Sequence, residues 1–160
     1  MRQFTLQLNR LTDRPVVTLG IIKALLDTGS RFPVWVGPKS IFHANFKAQL
    51  VKSGVQFTGF GGVVQGDLYK MQCFVFGSLI YPDLPVVVCD NICEEFDLIL
   101  SATMFSGLIY EIDEVNHRLN VTIPSGTDTV RKLTVSESGN RLAIACSGVD
   151  QSVLRINSFN

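Results

Sequence analysis

Short runs of Val, Ile, Leu and Phe, broken every few residues by Gly, Pro, Asn or Asp, recur along almost the whole chain. Side chains of an extended backbone point alternately to opposite faces, so short apolar or alternating runs bounded by turn formers read as β-strands. A mainly β fold follows. Phe4-Thr5-Leu6-Gln7-Leu8 alternates apolar with polar, and after a turn near Asp13-Arg14-Pro15 the run Val16 to Leu26 carries the chain onward. These predict two strands paired with each other. Further strands are expected at Val34 to Val36, Val55 to Phe57, Leu68 to Phe76, Leu84 to Cys89, Leu98 to Leu100, Leu108 to Ile112 and Arg118 to Ile123. Two more fall near Lys132 to Val135 and Arg141 to Cys146, joined by a Ser138-Gly139-Asn140 turn.

Two segments break the β pattern. Ser40 is placed to cap a helix in which Phe42, Phe46 and Leu50 recur every four residues until Gly54 stops it. Ser101 stands before Met104, Phe105 and Leu108 at helical spacing, enough for one or two turns.

With 160 residues and 46% hydrophobic content the chain has material for one core, and 18% charged residues is far from the composition of disorder. Fourteen basic residues balance fourteen acidic ones, leaving no field to attract nucleic acid or an anionic membrane surface. Arg2, Arg10, Asp13 and Arg14 interrupt the apolar residues of the first segment, which therefore lacks a signal-peptide core, and no run is long enough to cross a bilayer. A soluble cytoplasmic protein is the expectation. Cys73, Cys89, Cys93 and Cys146 lie in apolar runs and read as buried reduced thiols. Cys89 and Cys93 have a spacing that suits a metal but lack two further ligands nearby, so neither metal nor cofactor is expected. His43 and His117 accompany no nucleophile motif and read as structural or exposed. Asn120-Val121-Thr122 has the form of a glycosylation acceptor but reads as part of a strand.

The chemistry is concentrated in Ala24-Leu25-Leu26-Asp27-Thr28-Gly29-Ser30, where an apolar strand runs straight into Asp-Thr-Gly. Burial disfavours the charged form of a carboxylate, so an Asp delivered from a buried strand is usually paired, hydrogen-bonded or used. An ordinary strand-end turn is the other reading, since Asp and Gly both favour turns. A hydroxyl at Ser30 is in a position to donate to the Asp27 carboxylate, which would lower its pKa and favour activity in acid.

In the order of its motifs the chain resembles the retroviral-type, retropepsin-like aspartic peptidases. Asp27-Thr28-Gly29 is similar to their catalytic loop, and Thr58-Gly59-Phe60-Gly61-Gly62 stands where the family has a flap hairpin, although its glycines also suit a plain hairpin turn. Phe96 to Phe105 resembles the second signature, with Ile99 and Leu100 preceding a short helix. The likeness spans roughly residues 3 to 123. It implies a closed β-barrel with a flap and one or two short helices over residues 1–124, paired as a homodimer; residues 125–160 lie beyond it, and their strand-like runs around a turn predict a β-hairpin extension packed on the same domain.

The same resemblance implies a water activated between two Asp27 carboxylates, one from each copy, that share a proton and hydrolyse a peptide or protein substrate. Thr28 would brace the opposite loop, Gly29 would let the backbone turn without a clash, and Phe60 with Gly59, Gly61 and Gly62 would close over an extended peptide held by strand addition. No second Asp-Thr-Gly is present: Asp128-Thr129-Val130 comes nearest, so one chain supplies one carboxylate. Chain ends help build the dimer in this family, and the C-terminal hairpin is expected to extend or replace that contact. Two positions depart from the pattern. Ser101 stands where the family has glycine, where a side chain can crowd the Asp27 loop. Arg31 stands where many members have an acid, with no Arg in Ser101-Ala102-Thr103 to complete an ion pair. A domain that binds peptide or mediates assembly without cutting is therefore the alternative function.

Overall fold

The computed structural model describes residues 2–10, 14–27, 29–59, 62–89, 92–138, 141–146 and 153–157. In chain order they form β1 (Arg2–Gln7), β2 (Val16–Leu19), β3 (Ile22–Asp27), β4 (Val34–Trp35), helix α1 (Lys39–Asn45), β5 (Ala48–Gly59), β6 (Gly62–Phe76) and β7 (Leu79–Val88). There follow β8 (Leu98–Ser101), a 3-10 turn (Ala102–Phe105), β9 (Ile109–Asp113), β10 (Arg118–Ile123), β11 (Leu133–Ser138), β12 (Arg141–Cys146) and β13 (Val153–Asn157). The fold is mainly β.

The strands form two sheets, a small one ordered β1-β10-β9-β13 and a large one ordered β11-β12-β5-β6-β7-β4-β8-β3-β2. Both are open, so the described residues do not make the closed barrel expected from the family likeness. Closure requires the edge strands to pair, whereas β2 at one edge meets the end of β1 through a single bridge between Leu8 and Val17. The pairing expected between Phe4–Leu8 and Val16–Leu26 reduces to that bridge. β1 pairs instead with β10, from Arg2↔Ile123 to Gln7↔Arg118. Val16–Leu26 folds on itself, because Gly20 adopts φ +63 and breaks the run into the antiparallel pair β2 and β3. β13, which has no counterpart among the expected strands, lies parallel to β9.

β3 and β8 sit inside the large sheet and bury residues on both faces, which explains the apolar runs Ala24-Leu25-Leu26 and Leu98-Ile99-Leu100. Ala24, Leu26, Leu98 and Leu100 face a core shared with Trp35, Phe42, Tyr81 and the small sheet's Tyr110, Leu119 and Val121. Leu25 and Ile99 face a second cluster with Phe32, Val34, Val87 and Phe96. Cys89 is buried and Cys93 half-buried, but Cys73 is exposed. At its level β6 buries Phe74 and Phe76, which have the opposite parity, so Cys73 corrects the expectation of a core thiol.

The helix is shorter than its period suggested. Pro38 rather than Ser40 is the N-cap, and Phe46 is already extended at φ −129, ψ 135. The Gln72 amide then donates to the Lys47 carbonyl at 2.8 Å, committing the chain to pair with β6. Leu50 becomes an exposed strand residue, and Gly54, at φ +68, accommodates an irregularity in β5 rather than ending a helix.

The β9–β10 hairpin carries a pH-sensitive contact. The Asn116 side-chain amide donates to Asp113 Oδ2 at 2.8 Å and its backbone N–H donates to Oδ1 at 3.1 Å. The Asn116 side chain is the largest cause holding the Asp113 carboxyl below its ordinary range, aided by the Asn116 and Val115 amides and the Arg118 charge and opposed by burial. A depressed folded pKa stabilises the protein above the unfolded carboxylate value of about 3.9, and that contribution disappears as pH falls through the lower folded value. Wild type is therefore expected to melt above Asp113→Asn at neutral pH, with the gap closing in acid. A gap that does not change with pH in thermal melts would refute the linkage.

Candidate active site

Asp27 owes its place to β8. The two strands run parallel in register from Ala24↔Leu98 to Asp27↔Ser101. On the far side of β8, β4 pairs antiparallel, and β7 pairs parallel to β4. Asp97, just before β8, ties these strands together: its amide donates to the Lys23 carbonyl at 2.9 Å, and the Lys23 amide donates to its Oδ2 at 3.0 Å. Its carbonyl accepts the amides of Val36 at 2.7 Å and Gly37 at 3.1 Å. Gly37 is required for this approach, since a Cβ there would lie 2.5 Å from Asp97 Oδ1. Nothing local in the sequence marks Asp97 for this role, because its partners Lys23, Val36 and Gly37 lie far away in the chain.

The Asp27 side chain is half-buried beside an apolar floor of Leu26, Leu100, Phe105 and Tyr110. Its Oδ1 accepts the Gly29 amide at 2.9 Å, and its carbonyl accepts the Ser30 amide at 3.1 Å. Gly29 does not adopt a left-handed φ. Its value is closeness, since an added Cβ would stand 3.3 Å from the same Oδ1. Thr28, Phe60 and Gly61 lie outside the described residues. Gly59 and Gly62 are opposite each other at the end of the long β5–β6 hairpin, so the segment read as a flap is a hairpin with a two-residue connection.

Ser30 corrects the hydrogen bond expected of it. The residue is buried and its hydroxyl donates to the Phe32 carbonyl at 2.9 Å. A hydroxyl has one proton, so it is not the donor to Asp27. Ser30→Ala is therefore expected to leave the pH dependence of any Asp27 chemistry in place while costing about 0.5–1.5 kcal/mol of stability. A pH–rate profile that shifts in this variant, together with unchanged denaturation, would contradict that assignment.

Ser101 turns its hydroxyl toward Thr103. Fully buried, it places Oγ 2.6 Å from Thr103 Oγ1, and Thr103 donates to the Arg31 carbonyl at 3.3 Å. With the Thr103 proton used in this way, Ser101 is the donor to Thr103. The Ala102 amide adds a bond to the Ser30 carbonyl at 3.1 Å. Neutral hydroxyls and backbone thus join the two loops where the sequence has no acid–arginine pair. Ile99 and Leu100 are fully buried on opposite faces of β8, Leu100 in the floor beside Asp27 and Ile99 in the second cluster.

The other candidates stand apart. His43 packs its ring against Phe42 and Tyr69, and the His117 carbonyl accepts the Leu8 amide at 2.9 Å. A cavity of about 270 Å³ lies between β11 and the β5–β7 face, lined by residues that include Lys70, Asp83 and Lys132, none of them picked from the sequence. Among the described residues no three His, Cys, Asp or Glu side chains are grouped to hold a metal, and no helix is long and apolar enough to cross a membrane. The chain matches no protein-family model, no curated protein and no solved structure.

Proposed function

We propose that the chain is an aspartic endopeptidase of retropepsin-like build, active as a symmetric homodimer in which each copy contributes Asp27. The observation that carries this reading is the setting of Asp27: a half-exposed carboxylate at the end of a strand buried on both faces, held by the Gly29 amide and in register with Ser101. A strand end that holds a half-exposed carboxylate in a fixed position is an arrangement suited to chemistry.

Two such carboxylates facing each other across a two-fold axis share one proton, since like charges so close do not both ionise easily. The ionised member takes a proton from water, and the resulting hydroxide oxygen attacks the scissile carbonyl carbon. The protonated member hydrogen-bonds the developing oxyanion, and a proton then passes to the leaving amine as the C–N bond breaks. The β5–β6 hairpin is the flap of this reading. Ser101, the ground for a non-cutting domain, is accommodated by its bond to Thr103, which supports the enzyme reading over the alternative.

Incubating wild type and Asp27→Ala with a diverse peptide library, read by mass spectrometry, tests the activity. Cleavage by wild type alone supports it; identical product spectra refute it. Because one chain holds one catalytic Asp, activity per chain is expected to fall on dilution through the dimer dissociation range. Unchanged specific activity in a strictly monomeric sample would overturn the dimer.

A further inference from the structure

The 3-10 turn after Ser101 is held at both ends. At its start the Ala102 amide and the Thr103 hydroxyl reach the carbonyls of Ser30 and Arg31, and the Ser30 amide in turn donates to the Asp27 carbonyl. At its end stands Arg131, a buried residue from beyond the part of the chain that the family likeness covers. Its Nε donates to the Met104 carbonyl at 3.2 Å and its Nη2 to the Ser106 carbonyl. These two carbonyls flank Phe105, which lines the floor beside Asp27 with Leu26, Leu100 and Tyr110. One guanidinium therefore grips the turn on both sides of a floor residue.

Arg131 has a firm base of its own. Its amide donates to the Ile80 carbonyl at 2.7 Å, the Ile80 amide donates to the Thr129 carbonyl at 2.8 Å, and Leu133 enters the main core two residues later. The Tyr81 hydroxyl also donates to the Met104 carbonyl, at 2.7 Å, and that oxygen has a lone pair for each donor. Taking a cation out of water is costly, and an apolar side chain of similar volume in its place is often no less stabilising. What the guanidinium adds is geometry. Donors in a fixed planar fork set two carbonyls at once, which neither a thioether nor the compact ammonium of lysine does.

We propose that Arg131 is a positioning residue for Asp27: by fixing the carbonyls of Met104 and Ser106 it holds the 3-10 turn, and through the turn's bonds to Ser30 and Arg31 it sets the loop that carries the carboxylate. The bearing on turnover rests on the peptidase reading; the hold on the loop does not. Misplacing a reacting group by about 1 Å can cost on the order of a hundredfold in rate, so a loosened turn acts on kcat and leaves substrate binding largely in place.

The test compares the full chain as wild type, Arg131→Met and Arg131→Lys. Arg131→Met keeps a long unbranched side chain and removes every donor, whereas Arg131→Lys keeps the charge without the fork. Amide exchange followed by NMR is expected to be about tenfold faster at Ser30 and Ala102 in Arg131→Met, with a smaller rise in Arg131→Lys and wild-type rates along the β1–β10 ladder. On a peptide that wild type cleaves, at chain concentrations where activity per chain no longer rises, kcat should fall about tenfold in Arg131→Met and less in Arg131→Lys, with KM within about twofold. If Arg131→Met does not fold, Arg131→Lys carries the same comparison. Exchange that rises equally over the whole chain, or nowhere in it, would overturn the proposal. Unchanged kcat in both variants beside a cleaving wild type would also overturn it and leave the peptidase reading standing. Local acceleration at Ser30 and Ala102 with no cleavage by wild type would uphold the role of Arg131 in setting the loop and sink the peptidase reading.

Discussion

Asp27→Asn is expected to abolish peptide-bond cleavage while leaving the fold in place. Asparagine keeps the carbonyl oxygen that accepts the Gly29 amide at 2.9 Å, and the side chain is only half-buried, so little structural energy is at stake. On the dimeric mechanism proposed above, it could neither take a proton from water nor share one with a counterpart across a two-fold axis. General acid–base catalysis contributes on the order of 10²–10⁴ in rate for one group, and the variant loses both the acid and the base of the pair. A fall of about 10³-fold or more is the expected result, measured on any peptide that wild type cleaves. Thermal melts of the two proteins should coincide within a few degrees. Retained cleavage would remove Asp27 from the mechanism, whereas loss of cleavage together with loss of structure would assign it to the fold alone.

Trp35→Ala should have the largest effect on stability. This sole tryptophan is fully buried; its backbone pairs with Val88 on one side and Leu98 on the other, and its indole donates to the Pro38 carbonyl at 3.1 Å. Its ring centroid lies 5.4 Å from that of Phe42 and 6.0 Å from that of Phe46, so it joins the helix to the large sheet. Truncating a buried aromatic to alanine costs about 3–5 kcal/mol, a large part of the roughly 5–15 kcal/mol that keeps a domain folded. Urea denaturation followed by circular dichroism should show a midpoint far below wild type or no folded baseline. Trp35→Phe should fall between the two. A cost under about 1 kcal/mol would show that the indole is not the link between α1 and the sheet.

Both predictions depend on features that differ in how far they can be read from the sequence. The β character of the chain, most strand positions and the arrival of Asp27 at a strand end follow from local pattern. Apolar runs and turn formers act over a few residues, where the alternation of side chains leaves little choice. The long hairpin ending at Gly59 and Gly62 and the turn after Ser101 are local in the same sense. Pairing is not local. β1 chooses β10, more than a hundred residues away, over the strand that follows it, because burial rewards the partner that completes a core and sequence proximity only eases loop closure.

Hydrogen-bond direction belongs to the same tertiary level. Position next to Asp27 placed the Ser30 hydroxyl near a carboxylate, yet the carbonyl of Phe32 lies within reach and takes its single proton. The Ser101 hydroxyl finds its partner in Thr103, which in turn donates to the Arg31 carbonyl seventy-two residues earlier in the chain. Helical spacing in Phe42, Phe46 and Leu50 likewise ended at Phe46, where pairing with β6 offered backbone partners over a longer stretch. The sequence by itself determined that the chain is built of strands and that an aspartate ends one of them. The tertiary structure decided that this strand lies parallel to β8, that Asp97 ties the two together, and that Arg141 of β12 meets Gln56 of β5. Periodicity acts along the chain, whereas burial and hydrogen-bond saturation are settled only between segments that the folded core brings together.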